Sequence, residues 1–273
     1  MKYWFACQTK AGVSMEHIVA SVDIALSLMN IIAEKGAMGL TELSRVSGIN
    51  KSRVYRLMCT LEDRHYIVKS GEPIVYRLGY QALVVGRSAK EQNTLVRLAG
   101  PILDHLQTIH DENLQIRVRD HDEVVQIMSR ASMQPLQVRS RAGNRRRLGE
   151  GASGEVLLAF APQAVQEIFI REKENDIGFA DYLNNIREKN IAITKGAITP
   201  GIWAYAVPVF DESMMCVASL SLSAPAERAV NKERQFIKSL LTCSCELSLE
   251  LACPKEHLER AYATLNLESG NDC

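Results

Sequence analysis

The chain of 273 residues has no run of about 18 apolar residues, so no transmembrane helix is expected. Its opening, "MKYWFACQTKAG", carries one early Lys but too short an apolar stretch for a signal peptide. Residues 1–17 read as a loose tail, or as an extension from a start codon upstream of Met15. Cysteine pairing is equally absent. The seven cysteines (Cys7, Cys59, Cys216, Cys243, Cys245, Cys253 and Cys273) are odd in number and scattered, with no C-x-x-C pair. Six dispersed histidines offer no partner set for zinc, so neither a metal nor a cofactor is expected. Reduced thiols in a cytoplasmic protein are the plain reading. There is also no excess of either charge: the formal net charge is +0, which argues against binding polyanions over the whole surface. A local basic patch remains compatible with it. No internal repeat or low-complexity segment occurs. What is present, 47% hydrophobic and 23% charged residues, suits a globular chain with a real core and two domains.

The most informative stretch is "GINKSRVYRLMCTLEDRHY", Gly48 to Tyr66. Val54, Leu57, Met58 and Leu61 recur at helical spacing and form an inward stripe. Ser52, Arg53, Tyr55, Arg56 and Thr60 share the opposite face. Asn50 is a natural N-cap, and Gly48 supplies the tight turn before it. Upstream, Val22, Ala25, Leu26, Met29 and Ile32 predict an amphipathic first helix capped by Ser21. Thr41 is expected to open a short second helix, with Leu43 and Val46 inward. Downstream, "YIVKSGEPIVYRLG" reads as strand, turn, strand, with Gly71 and Pro73 at the turn. Helix, helix, turn, helix, hairpin is the order of a winged helix-turn-helix.

No acidic residue stands between Glu42 and Glu62, whereas Arg45, Lys51, Arg53 and Arg56 are basic. The charge is therefore concentrated at the turn and on the outer face of the third helix. Such a helix fits the major groove of operator DNA, Arg pairing with guanine while Lys51, Ser52 and the helix N-terminus suit phosphates. The expected DNA-contacting set is Asn50, Lys51, Ser52, Arg53, Tyr55, Arg56 and, at the hairpin turn, Lys69. An ordinary solvated helix face is the plainer alternative.

From Tyr80 to Asp111 the text is helical with an interruption around Glu91–Thr94. The strands "LQIRVRDHDEVVQIMS" then open a second domain, followed by helices near 152–160, 163–173 and 181–189. Strands "GIWAYAVPVF" and "MMCVASLSLS" come next, and a helix from about 226 to 252 closes it. The expected fold class is α+β: a winged helix-turn-helix, a linker helix and a sheet domain with packed helices. The expected divisions are a tail at 1–17, a DNA-binding domain at 18–79, a linker helix at 80–97, a second domain at 98–253 and a tail at 254–273.

The chain resembles the IclR family of bacterial transcriptional regulators. The resemblance rests on "GLTELSRVSGINKSRVYRLMCTLEDRHYIV…YRLG", on "GASGEVLLAFAP" and on "IREKNIAITKGAITPGIWAYAVPVFD" with "VASLSLSAPAER". It spans roughly residues 18–250 and implies a DNA-binding domain joined by the linker helix to a GAF-like α/β effector domain, working as homodimers or homotetramers on a palindromic operator. Asp23, Arg147, Gly149, Asn190 and Ala197 depart from the family's usual Arg, Pro, His, Gly and Glu. The resemblance also implies a small-molecule effector site walled by Ala152, Ser153, Thr194, Ala204, Ser221 and Ser223. Gly151 joins them at the start of a helix whose free N–H groups favour an anion, and Trp203 neighbours Ala204. A compact carboxylate is the ligand expected. In "VASLSLS", Ser219, Ser221 and Ser223 fall on one face, either toward water or toward that pocket.

Two motifs invite an enzymatic reading. "GEGASG", Gly149 to Gly154, satisfies a dinucleotide fingerprint, but the text before it, "NRRRL", is no apolar strand. Nor does it make a G-x-S-x-G elbow, because Gly154 follows Ser153 directly. An enzyme built on the glycine segment would also leave the basic helix unexplained. The run Arg145–Arg147 reads as a solvated turn, with capture of an anionic effector or a subunit contact as the alternative.

Overall fold

In the computed structural model, which describes residues 17–138, 143–173 and 178–262, the chain forms two compact units, Met1–Lys90 and Glu91–Cys273. Of the expected tails at 1–17 and 254–273, residues 1–16 and 263–273 lie outside the described residues.

The first unit holds α1 (Ala20–Lys35), α2 (Leu40–Ser47), α3 (Lys51–Asp63) and a hairpin of β1 (Ile67–Ser70) and β2 (Val75–Leu78). Gly48 takes a φ of 68° between α2 and α3, where a β-carbon would be strained. Asn50 caps α3 by accepting from the Ser52 N–H at 2.9 Å. Val54 and Met58 are buried with Leu28, Ile31, Ile32, Leu43, Ile67 and Tyr76. Met38 and Tyr76 exchange backbone hydrogen bonds at 3.1 and 2.8 Å, tying the α1–α2 connection to the hairpin.

Three expectations here are corrected. Ser21 does not cap α1; Val19 occupies the N-cap position and Ser21 lies inside the helix. The buried stripe of α1 is Leu28, Ile31 and Ile32, whereas Val22 and Leu26 face outward. Most of the circumference of α1 is apolar, so periodicity admits two stripes, and packing against α2, α3 and β2 selects one. Finally, α2 begins at Leu40, one residue before Thr41, behind an uncapped Gly39.

α4 (Tyr80–Gln92) carries no buried residue and runs to the division between the units. The helix breaks at Asn93, whose side chain caps α5 (Thr94–His110) by accepting from the Val96 N–H at 3.0 Å. The second unit therefore begins before residue 98, at Glu91.

The second unit is built on a six-stranded antiparallel sheet in the order β5-β4-β3-β8-β7-β6. The strands are β3 (Asn113–Asp120), β4 (Glu123–Arg130), β5 (Arg145–Arg147), β6 (Ala192–Lys195), β7 (Ile202–Phe210) and β8 (Cys216–Pro225). One face packs on α5, α9 (Ala226–Glu250) and α10 (Lys255–Ala261) through Leu103, Leu106, Leu220, Leu222, Phe236 and Leu240. The other face lies under α6 (Gly151–Ala159), α7 (Gln163–Glu172) and α8 (Phe179–Lys189), with Val156, Leu158, Leu183 and Ile186 between. Burial of apolar area on both faces is the main stabilising term, at about 25 cal/mol per Å².

The segment 254–262 is no tail. Leu258 and Tyr262 are buried, the Tyr262 hydroxyl donates to the Pro208 carbonyl at 3.0 Å, and Asn190 donates to the Ala261 carbonyl at 2.6 Å. "KEHLERAY" has only two large apolar residues, too few to announce a packed helix. The run Arg145–Arg147 is likewise an edge strand on β4, not a turn.

Candidate nucleic-acid interface and ligand cavity

On α3, Lys51, Ser52, Arg53, Tyr55, Arg56 and Thr60 are all exposed, because Val54 and Met58 turn the opposite side into the core. The first turn of α3 has no acidic residue, so its positive dipole end is uncompensated. Among the described residues, neither Arg53 nor Arg56 pairs with a carboxylate. The Lys51 ammonium donates to the Thr41 hydroxyl at 2.9 Å, which holds it beside the start of the helix. Arg45 stands 3.9 Å from Glu42. Lys69 departs from expectation: it lies on β1 opposite Tyr76 and not in the turn, with its ammonium 2.9 Å from Glu62. Of the seven residues expected to contact DNA, six therefore share the α3 region and Lys69 is engaged elsewhere.

A cavity of about 110 Å³ opens in the second unit between the sheet and the start of α6. Gly151, Ala152, Ser153, Thr194, Ala204, Ser221 and Ser223 all line it, which brings together every residue expected for the effector. The register explains this: Ser223 opposes Ala204, and Ala204 opposes Thr194, so the three stand in one row across β8, β7 and β6. Trp203 faces the other way, toward the α9 side, with the Lys195 ammonium 3.9 Å from its ring centre. Ser219, Ser221 and Ser223 are all buried, so the strand is not half-exposed to water. Gly151 has φ of 66°, and a β-carbon there would come 3.1 Å from Ile198. Gly154 packs against the Gly149 backbone, where a β-carbon would meet the nitrogen at 3.1 Å. Close approach of loop and helix thus accounts for two glycines of the dinucleotide-like spacing.

Three charged residues complete the lining: Arg117 and Glu150, which were not expected, and Arg146, from the run whose alternative reading was anion capture. Arg117 on β3 is 2% exposed and donates to Gln115 at 3.0 Å and Gln126 at 2.9 Å. Burial, and then the charge of Arg146, pull its guanidinium down to about 10, still protonated at neutral pH. The alternation Asn113, Gln115, Arg117 was the available signal, but polar residues at period two ordinarily mark a solvent face. The arginine run divides. Arg145 lies 2.8 Å from both Asp120 and Glu123, Arg147 pairs with Glu172 and stacks on Phe169, and half-buried Arg146 turns into the cavity. Among the described residues, no group of three potential metal ligands exists and no helix is long and apolar enough to cross a membrane.

Comparison with known proteins accords with this architecture. The family model described as the bacterial transcriptional regulator IclR C-terminal domain matches residues 88–249, and the IclR helix-turn-helix domain matches residues 21–71. The transcriptional regulator KdgR of Dickeya chrysanthemi is 29% identical over 241 residues, covering 84% of this chain and 79% of its own. The Escherichia coli KdgR is 28% identical over 244 residues, covering 85% and 93%. Among solved structures, an IclR transcriptional regulator from Alicyclobacillus acidocaldarius superposes with a TM-score of 0.75 at 23% identity, covering 86% of this chain and 99% of that one. An IclR homologue from Microbacterium hydrocarbonoxydans, complexed with 4-hydroxybenzoate, gives 0.72 at 20% identity, covering 85% and 98%. These relatives are regulators of transcription and not enzymes, which sets aside the reading of the glycine segment as an enzymatic site. With a basic third helix in one unit, a walled cavity in the other and both family domains in order, the chain belongs to the IclR family of bacterial transcriptional regulators.

Proposed function

We propose that this regulator binds a palindromic operator as a homodimer or homotetramer and that a compact, acid-bearing metabolite in the α6 cavity changes its operator affinity. The observation that carries the effector reading is the cavity itself: seven small or hydroxylated residues and two guanidiniums converge on one space. Its 110 Å³ is well below the roughly 300 Å³ at which drug-sized ligands begin to fit. The 4-hydroxybenzoate carried by the Microbacterium hydrocarbonoxydans homologue is a ligand of this size and charge class. On the DNA side, Asn50 orders the start of α3, Lys51 and Ser52 meet phosphates, and Arg53, Tyr55 and Arg56 face base edges. Lys69 joins them only if DNA displaces Glu62 from its ammonium. Such a protein works in the cytoplasm, where the operator is. Ligand binding acts by its different affinity for two arrangements of the DNA-binding units, transmitted through the linker helix α4.

The test is a gel shift on the DNA upstream of its own gene, with and without a panel of small carboxylates. Replacing Ser221 and Ser223 together by Leu fills the cavity. DNA binding should survive and the response to the acid should disappear; a double variant that responds like the wild type would place the effector elsewhere.

A further inference from the structure

We infer that Arg117 is the charge anchor of the cavity, and that the ligand is a compact monocarboxylate whose acid group meets Arg117 and Arg146 while a second oxygen accepts from the serines of β8. This rests on the acid-effector reading above and names the groups that would recognise the acid.

A buried guanidinium ordinarily has a carboxylate beside it, because an unpaired charge in the interior is expensive. Arg117 has none among the described residues. Its Nε and one terminal nitrogen donate to the neutral amides of Gln115 and Gln126, and its remaining nitrogen, Nη1, is buried without a hydrogen-bond partner. The group cannot escape by losing its proton at neutral pH. Arg117 also lines the cavity, so an anion seated there would stand beside that bare donor.

Charge counting gives the valence of the ligand. Arg117 and Arg146 are the cations of the lining and Glu150 is its anion, an excess of a single positive charge that a monoanion neutralises. Glu150 sits at the N-cap position of α6 and already complements the helix dipole. The unsatisfied positive group is therefore the arginine on the sheet, more than the helix end. Arg146 approaches from β5, its Nη1 3.8 Å from where a Gly151 β-carbon would stand.

The other end of the ligand follows from the serines. The Ser223 hydroxyl accepts from the Asn113 amide at 3.0 Å, so its own hydrogen is available to a ligand oxygen. Ser219 opposes Arg117 and Ser221 opposes Gln115 in the β3–β8 register. The Ser221 position is thus one pleat repeat, about 7 Å, along the sheet from that of Arg117. An oxo- or hydroxy-acid of a few carbons, or a ring with the two groups at opposite ends, spans such a distance.

The test uses the full chain in thermal denaturation with oxo- and hydroxy-monocarboxylates, among them 2-oxobutyrate and 4-hydroxybenzoate, each paired with its uncharged amide. Wild type should be stabilised by at least one acid and not by the matching amide. Arg117→Met should lose acid affinity by tenfold or more while its unliganded melting temperature moves little, because removal of an uncompensated buried charge offsets the loss of its donors to Gln115 and Gln126. A purely structural arginine would instead lower the melting temperature. Arg117→Lys, which keeps a charge but loses the planar fork, should bind the acid more weakly while still preferring it to the amide. Should Met or Lys at this position leave acid affinity unchanged, the anchor is wrong and the acid-effector reading stands. If no acid in the series stabilises wild type, or amides do so equally, the acid-effector reading fails and this inference falls with it.

Discussion

Arg53 and Arg56 lie one helical turn apart on α3, exposed and unpaired with acids among the described residues. Replacing either by Ala should cost about 1–3 kcal/mol of specific operator binding if it reads a base, measured by gel shift with circular dichroism to verify folding. Tight specific binding by the Arg53/Arg56 double variant would remove α3 as the reading helix. His110 makes a second residue-scale case. It ends α5, where the helix dipole favours a cation, yet its Nε2 is buried without a partner and its ring stands edge-on to Phe236. Burial and then the Lys232 charge hold its pKa below the usual value, against the opposing pull of Glu112. His257 is lowered in the same sense by burial and by Arg260. In the unfolded chain histidine titrates near about 6.5, so it takes up a proton before the folded state does. The stability contributed by the neutral ring is complete above that pH and is lost as the pH falls toward the depressed folded value. The melting temperature should therefore decline as the pH is taken below about 6.5, and His110→Leu should flatten the decline.

At the scale of elements, packing decided what periodicity could not. The β8 strand shows clean alternation, but alternation alone does not say whether the polar face meets water or a helix. Here α6 covers it, and Ser219, Ser221 and Ser223 are buried. The connection from β2 to α4 is another such point. The Gly79 N–H donates to the Tyr66 carbonyl at 2.7 Å, and a β-carbon at Gly79 would stand 2.2 Å from the His65 carbonyl oxygen. Gly79→Ala must push the two backbones apart, and overpacking of this kind costs about 1–3 kcal/mol. Chemical denaturation should register that loss in the first unit, with weaker DNA binding beside it. An unchanged transition would mean that the His65 turn yields freely.

For the whole molecule, the exposed apolar surface is the guide to assembly. Val19, Val22 and Leu26 form an outward stripe on α1, and Leu83, Val84 and Val85 lie exposed on α4, with Leu83 76% accessible. A single recognition helix reads few base pairs, whereas two-fold assembly sets two half-sites about a helical turn or a multiple apart. Sedimentation at micromolar concentration should show two chains or more. Leu83→Glu should shift the population toward single chains and weaken operator binding in parallel. Specific binding of a palindrome by single chains alone would contradict the assembly.

Local rules were enough for much of this protein. The αL turn at Gly48, the Asn50 cap and the Val54–Met58 stripe depend on residues within a few positions of one another, so α3 and its basic outer face were legible in the text. The cavity walls Thr194, Ala204, Ser221 and Ser223 were legible through resemblance, and the strand register sets them side by side. Tertiary structure alone decided which stripe of α1 is buried, that 255–261 packs as a helix, and that Arg146 turns inward between two ion-paired neighbours. It also decided that Arg117 is enclosed, with its partners Gln115 and Gln126 drawn from two paired strands. The reason is the same in each case. Burial and charge pairing are set by which distant segments come into contact, and that information is not carried by any short window of the chain.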